Sequence, residues 1–160
     1  MELFKDELVH LSLSLAVGTI LWIIFNSPLL IFACLLLGFF IDADHLIDYF
    51  YCFFHLDKKM RDKNLFNMVF HIKHFFIPEF YVSRNSKVIV PFHGWEHIPA
   101  FWLFLKVIGN ILGINGLEWA VIAYIAHLSW DQHTCAGTWQ SYFFVYRLKN
   151  KFSHKAYAGK

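Results

Sequence analysis

The sequence predicts an all-α integral membrane protein, folded as a bundle of about four transmembrane helices in a single domain over residues 1–160. Its residues are 58% hydrophobic and 20% aromatic, with a mean hydropathy of +0.44. A soluble domain of this size cannot bury that much apolar surface. Residues 9–41 contain no Asp, Glu, Lys or Arg, and this stretch is long enough for two spans of about 20 residues each.

The apolar stretches give the expected helices. We expect the first over residues 8–25 and the second over residues 28–41, continuing into residue 49. Asn26-Ser27-Pro28 separates the two with turn and helix-start residues, and the proline argues against the alternative of one long helix. The third is expected over residues 98–112, and the fourth from Asn115-Gly116 to about residue 131.

Basic residues predict the orientation. Most of them lie in two regions, residues 50–92 and the tail of residues 142–160, whereas the short turns around Asn26 and Asn115 have no Lys or Arg. By the positive-inside rule, both termini and residues 50–92 lie in the cytoplasm, which fits a cytoplasmic (inner) membrane. Residues 50–92 mix aromatic with basic side chains, as expected of an interfacial insertion, and the tail is expected to form a surface helix against anionic lipid.

Four polar clusters interrupt this apolar chain, each near an expected helix end. Under the predicted orientation all four lie on the cytoplasmic face. The clusters are His10, Asp42-Ala43-Asp44-His45, His93-Gly94-Trp95-Glu96-His97, and His127-Leu128-Ser129-Trp130-Asp131.

The spacing within the clusters points to metal ligation. His93/His97 and His127/Asp131 are four residues apart, which places both members on one face if the segment is helical. Imidazole with carboxylate suits zinc, and also iron or manganese, while Cys34, Cys52 and Cys135 have no metal-site spacing. For His10, a polar residue satisfied within its helix is the competing interpretation, and for Asp42 to His45 it is plain interfacial solvation.

The clusters also resemble a known family in their order. An early His10, then Gly38-x-x-x-Asp42-x-Asp44-His45, then a His-x-x-x-His element, then Ala123-Tyr124-x-x-His127-x-x-x-Asp131 resembles the membrane-bound metal-dependent hydrolase family. That family is in turn distantly similar to zinc-dependent phospholipase C and single-strand nucleases. One departure lies in the third element, where members commonly show His-Arg followed by Thr-His and this chain has His93-Gly94-Trp95-Glu96-His97.

The resemblance implies a metal-dependent hydrolase, with a phosphate ester as the favoured substrate and a lipid or isoprenoid phosphate as an attractive one. We expect divalent ions, zinc first, and metal-activated water. Asp42 or Glu96 is expected to act as the general base or an additional ligand, although Glu96 is also interpretable as a solvated glutamate. The expected ligands are His10, Asp44, His45, His93, His97, His127 and Asp131.

Two other functions compete with this one. A non-catalytic membrane protein could use a structural metal site as a scaffold for a partner, and a metal-ion carrier would need polar residues along a path across the bilayer. The clusters sit at one end of the helices, which disfavours a carrier. Membrane lipid is the expected partner, and nothing in the sequence predicts binding to nucleic acid.

Overall fold

The computed structural model of the chain describes residues 2–47, 51, 88–134 and 138–153. Within these ranges the regular elements are all helices, which confirms the all-α class. The predicted interfacial helices between residues 52 and 87 lie outside the described residues. The α-helices are α1 (Glu2–Phe25), α2 (Leu29–Gly38), α3 (His97–Leu112), α4 (Val121–Thr134) and α5 (Phe144–Lys149).

Three short 3₁₀ helices connect or extend these elements. Phe40–Asp44 continues the chain beyond α2, Leu117–Ala120 leads into α4, and Trp139–Tyr142 precedes α5. Such turns are common at the ends of α-helices. The first of them carries two of the predicted site residues, so its local geometry decides where those carboxylates point.

The expected turns are confirmed. α1 ends at Phe25, and Asn26 adopts a left-handed backbone conformation with φ of 54°, which asparagine tolerates better than most residues. Gly113 ends α3 with φ of 68°, and the N–H of Ile114 donates to the carbonyl of Gly109. A glycine in this conformation is a common helix C-terminus because it has no side chain to clash.

Helices α1, α2 and α4 form the centre of the bundle. α1 packs along α2, and α4 packs against both, while α3 lies mainly against the turn that precedes α4. Buried apolar side chains form two groups between these helices. The second group lies near the end of α2 and includes Tyr124. The first buried group comprises Leu21, Leu30, Cys34, Leu117, Ala120 and Ala123.

Gly38 marks the closest approach of the three central helices. A Cβ added there would collide with the Ser14 hydroxyl of α1 and lie 3.0 Å from the Cβ and the carbonyl oxygen of Ala123 in α4. Only glycine fits between the neighbouring helices at this level. The contacts at Gly38 therefore bring the middle of α1 and the first turn of α4 against the end of α2.

The described residues contain one or two candidate membrane spans by length and composition. Within the described residues one helix, Lys5–Phe25, is long and apolar enough to cross a membrane. Leu29–Gly38 and Phe40–Ile47, bent by 44°, make a second candidate if they are counted as one span. α3 and α4 have 16 and 14 residues, which is shorter than the roughly 20 residues of a typical span. Four spans therefore stay a prediction.

Candidate metal centre

Four side chains from three parts of the chain converge on one point. Their converging atoms are Asp42 Oδ1, His93 Nε2, His127 Nε2 and Asp131 Oδ2. His93 Nε2 lies 3.0 Å from Asp42 Oδ1, 3.1 Å from His127 Nε2 and 3.6 Å from Asp131 Oδ2. His127 Nε2 lies 3.1 Å from Asp131 Oδ2 and 3.5 Å from Asp42 Oδ1. We call these four residues the metal centre.

These separations fit a small divalent cation. Bonds of about 2.0–2.1 Å to nitrogen and oxygen in a tetrahedron put neighbouring donor atoms about 3.3 Å apart. The five distances above lie between 3.0 and 3.6 Å, on either side of that value. Two imidazoles with two carboxylates are ligands that zinc, iron and manganese all accept. The donor set therefore matches the predicted cofactor in chemistry and in spacing.

The end of α2 supplies the first carboxylate through a change of helix type. α2 ends at Gly38, and Phe40–Asp44 continues as a 3₁₀ helix. The pair Leu29–Gly38 and Phe40–Ile47 is bent by 44°, so the 3₁₀ helix is redirected relative to α2. Asp42 and Asp44 follow this break, and both take part in the site.

A backbone carbonyl fixes the tautomer of His127. The Nδ1 of this ring lies 2.9 Å from the carbonyl oxygen of Gly38. Because a carbonyl only accepts, Nδ1 carries the hydrogen and Nε2 keeps its lone pair. An outer hydrogen bond of this kind is the usual support of a metal-binding histidine. His127 is fully buried at the side chain and points this lone pair at the other three donors.

Two carboxylates hold the ring of His93. Its Nδ1 lies 3.0 Å from Asp44 Oδ2, and its Nε2 lies 3.0 Å from Asp42 Oδ1. Burial lowers the pKa of His93, but the carboxylates of Asp44 and Asp42 outweigh it and raise the pKa well above the ordinary value of 6.5. In the absence of a metal ion, the pair of aspartates therefore stabilises a doubly protonated imidazolium between them.

Three predicted ligands surround the four-residue group without belonging to it. Asp44 accepts hydrogen bonds from His93 Nδ1 and from the N–H of Phe92. His10 Nε2 lies 3.0 Å from Asp131 Oδ1, and its ring centre is 4.0 Å from that of His127. His45 Nε2 lies 3.8 Å from Asp42 Oδ1. Asp44 and His10 are thus placed to orient ligands, as outer partners commonly do.

Asp44, His45 and His93 also form a second group whose donor atoms lie within 4.8 Å of one another. The side chain of His45 is 35% exposed, more than any of the others. His45 is therefore the accessible member of this group, whereas Asp44 and His93 are buried.

His97 and Glu96 belong to neither of the two groups of possible metal ligands. Their positions therefore do not support the ligation expected of His97 or the role expected of Glu96. His93 precedes α3, which begins at His97, so the helical spacing assumed for the pair is wrong. The ring of His97 instead lies 5.9 Å from that of Phe101 and 5.8 Å from that of Phe144.

Glu96 binds the C-terminal segment. Its Oε1 accepts a hydrogen bond of 2.8 Å from the N–H of Val145 in α5. Burial raises the pKa of Glu96, but hydrogen bonds from the Val145 and Phe144 N–H groups outweigh it and lower the pKa. Glu96 is therefore held by the C-terminal segment and belongs to neither group of possible metal ligands.

Two residues of the site had no predicted role although they lie within the family-like motif. Gly38 supplies the carbonyl for His127. Tyr124 is buried, with its hydroxyl 2.5 Å from the Phe92 carbonyl and 2.8 Å from that of Gly94, and it also accepts from the Gly94 N–H. Tyr124 therefore holds the backbone on both sides of His93.

Several buried polar atoms in and around the centre have no hydrogen-bond partner. Among the described residues, Asp42 Oδ2, Asp44 Oδ1 and His10 Nδ1 are buried and have no hydrogen-bond partner. A buried polar atom without a partner costs free energy. Asp42 and Asp131 each expose about a seventh of the side chain, whereas His93 and His127 are sealed. The carboxylates therefore form the accessible edge of the centre.

Comparisons with family models, with curated proteins and with solved structures find no match to this chain.

The protonated state of His93 gives a pH-dependent stability in metal-free protein. An unfolded histidine has a pKa near 6.5, and folding raises it. The stabilisation from the two aspartates is therefore fully present below about pH 6.5 and is lost as the pH rises through the folded pKa. We expect the free energy of unfolding, measured in excess chelator, to fall over this interval relative to a His93→Gln variant. A difference between the two proteins that does not change with pH would contradict this expectation.

Proposed function

We propose that the chain is a membrane-bound metal-dependent hydrolase that cleaves a phosphate ester. The observation that carries the proposal is the convergence of Asp42, His93, His127 and Asp131 within donor-atom distances that suit one divalent ion. The order of the motifs supports the same class through the family resemblance. We propose zinc as the ion, with iron and manganese as alternatives that the same ligands accept.

The residues of the centre divide into those that hold an ion and those that orient them. Asp44 holds His93, the Gly38 carbonyl holds His127, and His10 holds Asp131. An ion bound there would activate water and neutralise charge that develops on phosphoryl oxygens. Preorganisation by these outer partners keeps the donors in place without the ion, which reduces the rearrangement that binding requires.

The choice of donors favours catalysis over a purely structural role. Structural zinc sites are typically closed and often use cysteine, whereas catalytic sites keep a position for water or substrate. Here the centre contains no cysteine, and its carboxylates reach the accessible edge beside His45. Asp42 lies at that edge with one buried oxygen that has no partner, and we propose it as the residue that accepts a proton from the attacking water or completes the ligand set.

A structural metal site is the second candidate. Four protein donors are enough to fill a tetrahedral zinc ion, which would leave no place for substrate. In that case the ion would fasten the ends of α2 and α4 to the segment before α3, and the protein would act as a scaffold for a partner. The two candidate functions predict the same bound metal. They differ in whether the ion keeps a coordination position that water or substrate can occupy.

The outer faces of the helices support a membrane location. Many large apolar side chains are exposed along α1, α2 and α3, and exposed apolar surface of a protein is commonly covered by lipid or by another protein. We propose that lipid covers it and that the metal centre lies at the cytoplasmic face. Those exposed by 60% or more are Ile23, Ile24, Phe32, Leu36, Phe104, Ile111 and Leu112.

Apolar side chains beside the centre favour an amphiphilic substrate. Phe40 and Phe92 are about half exposed, and each is within two residues of a site residue. Ile47, two residues beyond His45, is 44% exposed. A phosphate ester with an apolar chain could place the phosphate among the His and Asp residues and the chain against these side chains. We therefore propose a lipid or isoprenoid phosphate as the substrate.

Metal content tests the centre. In detergent-purified wild type we expect about one equivalent of zinc, iron or manganese. The His127→Ala/Asp131→Ala double variant removes two of four donors and is expected to lose the metal. His133→Ala is the matched control, because His133 is exposed on the same helix and should leave the metal content unchanged. Wild type without a transition metal would refute the proposal, and full retention by the double variant would show that the ligands are others.

Hydrolysis separates the enzyme from the scaffold. Metal-loaded wild type and the double variant would be compared on phosphomonoesters and phosphodiesters with short and long alkyl chains. An enzyme of the proposed class turns over at least one of these, with a preference for long chains, and the double variant does not. A metal-loaded wild type that hydrolyses none of them while keeping its ion through extended dialysis would favour the structural site.

Reporter fusions test the orientation. We expect a reporter inserted between Lys58 and Lys63 to be cytoplasmic, and one inserted at the Asn26 turn to be on the opposite side, because only the former segment is basic. Activity of the first reporter outside the cell would overturn the orientation. Release of the untagged protein from membranes by alkaline carbonate would overturn its integral insertion.

A further inference from the structure

We propose that Arg147, in the C-terminal helix α5, is a positioning residue of the metal centre that fixes the backbone of His93. This inference rests on the proposed function, because it assigns Arg147 a part in metal binding. The sequence predicts only a surface helix against anionic lipid for the tail, and no motif connects Arg147 with the third cluster. The structure brings the two together across 54 positions of the chain.

The guanidinium of Arg147 binds two carbonyl groups of one turn. Its Nη1 donates to the carbonyl of Val90 at 2.6 Å, and its Nη2 donates to the carbonyl of His93 at 2.5 Å. The N–H of His93 lies 3.4 Å from the same Val90 carbonyl. Arg147 therefore connects the start and the end of the turn that presents His93. Arg147 is only 3% exposed, so these two hydrogen bonds are shielded from water.

His93 needs such support because no helix holds it. The segment 91–96 consists of turns and irregular backbone before α3 begins at His97. The Tyr124 hydroxyl, on α4, lies within hydrogen-bond distance of the carbonyls of Phe92 and Gly94, and its single hydrogen is donated to one of them at a time. Arg147 binds the carbonyl of His93 between them from the side of α5. The backbone around this residue is thus held by side chains of two elements, α4 and the tail helix α5.

Other contacts of the tail join it to the segment 88–96, which contains this turn. The N–H of Trp95 donates to the carbonyl of Tyr142 at 2.9 Å, and the N–H of Val88 donates to that of Phe152 at 2.8 Å. Glu96 accepts from the N–H of Val145, near the start of the helix that carries Arg147. Backbone hydrogen bonds at both ends of the segment make the register of this interface specific. They place Arg147 against His93 and not against a neighbouring turn.

Arginine suits this position better than lysine does. The guanidinium is a planar fork with several donors in fixed directions, whereas the lysine ammonium is a compact charge on a flexible stem. Holding two carbonyls of one turn at the same time uses the fork. A lysine would keep the charge but would lose the fixed separation between the two donors, so the ring of His93 would be less well aligned with the other three donors.

Cobalt binding to the full-length protein in detergent provides the test. Co²⁺ would be titrated by absorbance into wild type, Arg147→Lys, Arg147→Gln and Lys149→Gln, and zinc affinity would be measured by competition. Lys149 is exposed on the same helix and matches the loss of charge in Arg147→Gln. Loss of an outer partner typically weakens metal affinity about 10–100-fold. We expect that loss in Arg147→Gln, a smaller one in Arg147→Lys, a shifted cobalt spectrum in both, and no change in Lys149→Gln.

The outcomes separate this inference from the proposed function. Wild type that binds no cobalt and no zinc would refute the metal centre itself. Wild-type affinity and spectrum in both Arg147 variants would refute only the role of Arg147. If Arg147→Gln does not fold by circular dichroism, Arg147→Lys decides: a shifted spectrum at unchanged helix content supports positioning, and an unchanged spectrum overturns it. An equal loss of affinity in Lys149→Gln would also overturn it, since the effect would then follow charge and not contact.

Discussion

The rest of the site depends on the contacts of the His93 ring with Asp42 and Asp44, one at each ring nitrogen. The two aspartates are two residues apart, so their side chains leave the backbone in different directions. That difference lets them reach opposite nitrogens of one ring. A buried charged group is tolerated only when it is paired and hydrogen-bonded. The imidazole and the two carboxylates satisfy one another, and they join the end of α2 to the segment before α3.

The packing of the central helices brings α4 next to the end of α2. Gly38 lets α1, α2 and α4 approach closely, and its carbonyl then holds His127. His127 and Asp131 are one helical turn apart on α4, so fixing one ring also places the carboxylate near it. His10, from α1, completes the arrangement by binding the other oxygen of Asp131. Side chains or backbone of α1, α2 and α4 thus all take part in the site.

Part of this was predictable because the signals are local. The apolar stretches and Asn26-Ser27-Pro28 predict α1 and α2, and the spacing of His127 and Asp131 correctly predicts a pair on one face of a helix. The same spacing failed for His93 and His97, because a helical rule applies only inside a helix and α3 starts at His97. The contact of Arg147 with His93 left no local signal, since it joins an irregular turn to a distant helix and depends on the tertiary packing of both.

X-ray absorption spectroscopy of the zinc-loaded, detergent-solubilised protein tests the central claim most directly. The account predicts a first shell of nitrogen and oxygen at about 2.0–2.1 Å, with outer-shell scattering from two imidazoles and none from sulfur. The His93→Gln variant should lose the scattering of one imidazole. A sulfur atom in the first shell of wild type, or a wild-type spectrum without two imidazoles, would contradict a centre built from Asp42, His93, His127 and Asp131.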